Sequence, residues 1–164
     1  MRRFASAAIL AGIGVLASPM AAAQALKDQI VGSWRLVSIY NEEGGAKRNN
    51  FGDKPVGLLM FDRSGNVIQF LSKPDLPKFA SGNRLKGTDK EYRDIMQGIV
   101  AGFGTYTVEG STVSIKWVAS TYPNRMGTTE KRTYKLAGGE LSSTNPTAAS
   151  GGTSYAKYVR AAQH

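Results

Sequence analysis

The sequence predicts an all-β fold: about eight short strands joined in order as an antiparallel up-and-down meander, with one amphipathic helix between the third and fourth strands. Three observations predict it. Apolar and polar residues alternate with period two in eight separate runs, the pattern of strands buried on one face. Glycine recurs in the short turns "DRSGN" (62–66), "EGS" (109–111) and "AGG" (137–139), where tight hairpins need left-handed backbone. One stretch alone, 88–102, switches to helical spacing.

The chain opens with a segment outside the fold. "MRRF" is basic, "ASAAILAGIGVLA" is apolar and short for a bilayer span, and "SPMAAAQA" offers small residues for cleavage after Ala25 or, alternatively, after Ala23. Residues 1–25 therefore read as a signal peptide, with a retained anchor as the alternative, and 26–164 as one exported domain, periplasmic or secreted. No Cys follows the cut, which argues against a lipoprotein anchor.

The predicted strands are 31–40, 56–62, 66–72, 103–109, 112–119, 128–136, 140–145 and 153–160. Between the third and fourth, Tyr92, Ile95, Met96, Ile99 and Val100 share one helical face. Thr88 and Glu91 have capping-box spacing, and Gly102 fits the helix stop. The polar loop 72–87 before it is long enough to frame a binding site or to serve as a mere connector. Eight antiparallel strands close as a barrel or stack as a sandwich; closure removes the exposed edges. A barrel of this size fills with side chains or holds one small ligand.

Composition excludes several chemistries. With 41% hydrophobic and 20% charged residues, the chain is an ordinary globular domain. It has no Cys and one His, His164, at the end, so no metal site, cofactor or histidine base is expected. No nucleophile elbow, phosphate loop or dinucleotide fingerprint appears. The formal charge is +9, or +7 once Arg2 and Arg3 leave with residues 1–25. An exported basic protein suits anionic ligands and weak association with anionic membrane surfaces; nucleic acid is not an expected partner. The oligomeric state is not readable.

Alternation gives two faces per strand without saying which is inside. If Trp34 points inward, Leu36 and Ser38 follow it. Interior expectations elsewhere are Leu59, Phe61, Ile68, Phe70, Tyr106, Val108, Ile115, Trp117, Arg132 and Tyr134. The candidate ligand-binding residues are Phe61, Phe70, Tyr106, Lys116, Arg132 and Tyr134, with plain core packing as the alternative for each. Arg132, mid-strand among apolar neighbours, needs a partner if buried: Glu130, Asp62 or a ligand carboxylate. The loop 122–127 supplies adaptable contacts in Tyr122, Arg125 and Met126.

"IVGSWRLVS" carries Gly32-Ser33-Trp34 at the head of strand one, and "YAKYVRA" carries Arg160 near the end of the last strand. This pairing resembles the Gly-x-Trp signature of lipocalins and other calycins. "FGDKPVGLLMFDRSGNV", "FGTYTVEG" and "YPNRMGTTEKRTYKLAGGELSSTNP" extend the likeness to the bacterial and fungal lipocalin-like domain family over nearly all of 30–160. The resemblance implies a lipocalin-like barrel with an internal cavity, in which Trp34 closes the narrow end with Gly32 before it and Arg160 packed across its ring. It supplies no catalytic set. Relatives often carry His in the fifth strand, where this chain has Lys116 and Trp117, and end in a Trp-containing strand, where it has Tyr155 and Tyr158.

The expected function is binding: a small apolar or amphiphilic molecule, suited to an anionic head, held in the barrel beneath the segment 73–102. Lys73, Lys78, Arg84, Lys86, Lys90 and Arg93 make that segment cationic. The alternative is a small isomerase or cyclase working through Tyr106, Lys116 and Arg132. A filled barrel serving as an interaction module is the third reading.

Overall fold

The computed structural model describes residues 26–162; the expected signal peptide lies outside them. Nine strands form one antiparallel sheet: β1 (Gly32–Glu43), β2 (Ala46–Arg48), β3 (Val56–Phe61), β4 (Asn66–Ser72), β5 (Ile99–Glu109), β6 (Thr112–Ser120), β7 (Thr129–Ala137), β8 (Glu140–Asn145) and β9 (Thr153–Arg160). β1 pairs with both β3 and β9, closing an eight-stranded up-and-down barrel; β2 is a short appendage on the far end of β1. Residues 26–30 form a short helix, α1, before the barrel, and α2 (Asp89–Gly98) lies between β4 and β5, between the third and fourth barrel strands.

α2 starts as its sequence demands. Thr88 accepts from the Glu91 amide, and the Glu91 carboxylate returns to the Thr88 amide at 2.7 Å. The helix stops four residues before Gly102, however. Ile99 to Gly102 join β5 and pair with Gln69 to Ser72. The β-branched pair Ile99-Val100 takes the ladder and ends the helix at Gly98, where the lack of a side chain leaves room for Leu76, which a Cβ would meet at 2.5 Å. Gly102 serves packing instead. A Cβ on it would approach the Trp117 ring to 3.1 Å, so its bareness lets β5 lie against that indole.

Two bulges set what faces inward. Pairing of β1 with β9 shifts between Leu36 and Ser38, and pairing of β5 with β6 shifts between Phe103 and Gly104. Trp34 and Leu36 are buried, but beyond the first shift Ile39 and Asn41 turn inside instead of Ser38. On β4 the inward set is Val67, Gln69 and Leu71, and the expected Ile68 and Phe70 face solvent. With Val56, Leu58, Met60 and Phe103 they form an apolar outer wall.

The meander puts the three tight turns between consecutive barrel strands at one end. The turns 62–65, 110–111 and 138–139 join α1 at the Trp34 end, while the long connections 49–55, 73–88, 121–128 and 146–152 all reach the other. The interior divides the same way. Toward the tight end it is filled by Trp34, Leu59, Phe61, Val67, Val113, Ile115, Tyr106, Tyr134 and Leu141. Toward the other it is hollow.

Candidate functional site: a cavity in the open half of the barrel

The filled end is sealed by four coupled contacts. The Arg160 guanidinium lies 4.0 Å from the centroid of the Trp34 ring, across one register pair of β1 and β9. Its Nη1 donates to the Val31 carbonyl at 2.5 Å and its Nη2 to the Gln29 carbonyl. Trp34 Nε1 donates to the Ile30 carbonyl at 2.7 Å. The carbonyls that α1 leaves open at its end thus receive a cation and an indole N–H. Gly32 makes room, with φ of 117° and a position where a Cβ would come within 2.7 Å of Arg160 Nη1. Gly32, Trp34 and Arg160 thus meet at one end of the barrel.

The hollow end holds a cavity of about 560 Å³, within the range of small-molecule sites. Its walls are the ends of β1, β4, β8 and β9, contributing Asn41, Gln69, Ser143, Asn145 and Ser154 beside Ile39, Leu71, Ala156 and Tyr158. Its rim comes from the long loops and from α2, including Phe51, Lys73, Met96, Gln97 and Tyr122. The rim is tied. Asn41 Nδ2 donates to Ser150 Oγ at 3.0 Å and to the Gly151 carbonyl at 2.9 Å, and Asn50 Nδ2 reaches the same Ser150 oxygen at 3.0 Å. On the other side Glu91 Oε1 accepts from the Ala80 amide at 2.8 Å, and the Tyr92 hydroxyl accepts from the Gly87 amide at 2.9 Å, binding the 73–88 loop to α2.

Arg132 and Arg125 line the cavity, and both guanidiniums meet one carboxylate. Glu130, two residues before Arg132 on the same face of β7, accepts from Arg132 Nε through Oε1 and pairs with Arg125 Nη2 through Oε2 at 3.2 Å. Arg125 arrives from the β6–β7 loop. A 3₁₀ turn pins its backbone: its amide donates to the Tyr122 carbonyl, and its own carbonyl accepts from the Thr128 amide at 3.1 Å and hydroxyl at 2.7 Å. The guanidinium lies 4.7 Å from the Trp117 ring centroid, with Arg132 at 5.6 Å. Burial pushes the Arg125 guanidinium down from its ordinary value, against Glu130. Burial also opposes the Arg132 charge, but the surrounding Tyr134 and Glu130 outweigh it and hold it up. Both remain cations at any neutral pH.

Two polar atoms here have no hydrogen-bond partner among the described residues: Arg125 Nη1 and Gln69 Oε1. Their residues are 6% and 4% exposed. A buried polar group left unpaired costs about 1–3 kcal/mol.

Of the six expected ligand-binding residues, Arg132 lines this cavity. Phe61, Tyr106 and Tyr134 are inside but belong to the filled half, where the Phe61 ring makes edge contacts at 4.8 Å with Tyr106 and 5.7 Å with Tyr134. The Tyr106 hydroxyl donates to the Asp62 carbonyl at 2.8 Å, at the tight end. Phe70, 41% exposed, and Lys116, also exposed, point outward, because the inward sets of their strands are Gln69 and Leu71 on β4, and Ile115 and Trp117 on β6. Tyr106, Lys116 and Arg132 consequently do not converge. The polar wall residues Gln69, Ser143 and Asn145 are not among the expected set, because hydrophobicity favours Ile68 and Phe70 over Gln69 and marks neither face of the polar run Ser142 to Asn145 as interior. The signal for them is a polar residue at an inward position of the alternation, as Gln69 between Val67 and Leu71, and Ser143 and Asn145 after Leu141.

Fold and cavity together define a class: an up-and-down antiparallel barrel sealed at one end and open at the other over a space of small-molecule size. A family model described as a lipocalin-like domain matches residues 31–161, and the chain belongs to that family. A search of the curated proteins returns no match. A barrel of this kind suits small-molecule binding in general.

Proposed function

We propose that this protein is an exported small-molecule binding protein that holds an apolar or amphiphilic ligand, anionic at its deep end, in the open half of the barrel. The observation that carries the reading is the division of one barrel into a sealed, filled half and an open half of about 560 Å³ floored by Arg125 and Arg132. Leu71, Val100 and Met96 offer the ligand body apolar contact, while the cationic floor favours a negative head. Native mass spectrometry of protein isolated from its source tests this: a bound small molecule of constant mass is expected, and reproducible absence of any bound species overturns it.

Export rests on the basic, apolar and small-residue succession of residues 1–25. N-terminal sequencing of the natural protein is expected to begin at Gln24 or Leu26. Weak attachment to anionic membrane surfaces fits the cationic excess and the apolar outer wall. Salt-sensitive co-sedimentation with anionic, but not neutral, vesicles is the expected outcome.

A further inference from the structure

The charge balance of the cavity floor narrows the ligand class, given the binding reading above. Two guanidiniums share one carboxylate, so Arg125, Arg132 and Glu130 together carry one net positive charge in a buried setting. Arg132 commits Nε to Glu130, and Arg125 commits Nη2. Arg125 Nη1 is left as a buried cationic donor with no acceptor among the described residues, and Gln69 Oε1 as a buried acceptor with no donor. Both residues line the same cavity. A guanidinium nitrogen in this position is satisfied by an anionic oxygen, and an amide oxygen by an O–H or N–H. One buried positive charge is neutralised by one negative charge; a phosphate dianion leaves excess charge where hydration is restricted. Lys73 adds a cation at the rim, where water screens it.

We propose that the ligand is a carboxylic acid bound as its monoanion. The carboxylate meets Arg125 Nη1, a hydroxyl or amide N–H near the acid group donates to Gln69 Oε1, and the apolar remainder extends past Leu71 and Val100 toward the rim. Arg125, supplied by a loop and not by a barrel strand, is the specificity-determining residue.

Titration calorimetry with 3-hydroxyoctanoate, octanoate, octanol and octyl phosphate tests this on the wild type, Arg125→Met and Gln69→Leu. In the wild type 3-hydroxyoctanoate binds tightest, and octanol and octyl phosphate bind at least about tenfold more weakly than octanoate. Arg125→Met erases the preference of octanoate over octanol. Gln69→Leu, which changes no charge, keeps that preference and loses only the gain from the hydroxyl. Octanol matching octanoate, octyl phosphate exceeding it, or an acid preference that survives in folded Arg125→Met overturns the carboxylate assignment while leaving the binding reading in place. A hydroxyl gain that persists in Gln69→Leu overturns the donor contact. Failure of every probe to bind, together with an empty natural protein, removes both.

Discussion

Each end of this barrel sets an arginine over a tryptophan, and the two pairs differ in burial and in how their donors are met: Arg160 is exposed and Trp34 Nε1 has a partner, whereas Arg125 is buried and Trp117 Nε1 has none among the described residues. At the sealed end Arg160 covers Trp34, and two guanidinium nitrogens are met by the Gln29 and Val31 carbonyls. At the open end Arg125 covers Trp117, and one nitrogen is met by Glu130 while Nη1 has no partner among the described residues. The first arrangement is complete without any other molecule. The second lacks an acceptor and sits in a cavity able to admit one. Cation–π stacking of this kind does not by itself separate structure from function; the hydrogen-bond inventory around the cation does.

Substitutions can break or sharpen this contrast. The largest effect is expected from Trp34→Ala, which empties the filled end and strips Arg160 of its ring. A loss of about 3–5 kcal/mol is expected, read from urea midpoints. Glu130→Gln is comparable in kind at the other end, since it leaves two buried guanidiniums uncompensated; a loss approaching about 3 kcal/mol is expected in the same assay. Gly32→Ala is next. It forces an L-residue to φ of 117° and pushes on Arg160 Nη1, with an expected cost of about 2 kcal/mol.

Arg125→Met should be far milder, within about 1 kcal/mol of wild type by thermal melting. It leaves Glu130 paired with Arg132 and removes an unpaired donor. A large loss there would show Arg125 to be a structural residue like Arg160, erasing the contrast. The smallest effect concerns pH. Hydrogen bonds from the Ala80 and Thr88 amides hold the Glu91 carboxyl below 4.5, its ordinary value. A depressed folded-state value means that its contribution is fully present above 4.5 and is lost as pH falls through the lower folded value. Protection factors of the Ala80 and Thr88 amides, taken relative to the intrinsic exchange rate at each pH, should therefore fall on acidification, and Glu91→Gln should flatten that dependence while leaving the barrel amides unchanged.

Much of the scaffold is legible in the residues. β4, β8 and β9 occupy the stretches 66–72, 140–145 and 153–160 that alternation marks, because period-two patterning and turn glycines are local properties. Other features are less visible. α1 is too short to show a helical stripe, although Leu26 and Ile30 have helical spacing and both are buried. The end of α2 is ambiguous in the residues because Ile99 and Val100 satisfy a helical stripe and a strand equally well; pairing with Leu71 and Ser72 decides between them. The site is less legible still. Gln69 and Phe70 are adjacent, and nothing local says which of them faces in.

The sequence by itself determined the eight-stranded meander and the capped helix, because each depends on neighbours within a few residues; the tryptophan plug was implied by a family resemblance and depends on contacts with distant residues. Only the tertiary structure decided which face of each strand became interior and which half stayed hollow. It also brought Arg125 from a loop to share Glu130 with Arg132. Those outcomes depend on barrel closure and on two bulges, where a one-residue shift exchanges inside for outside, and such a shift is set by pairing with distant strands.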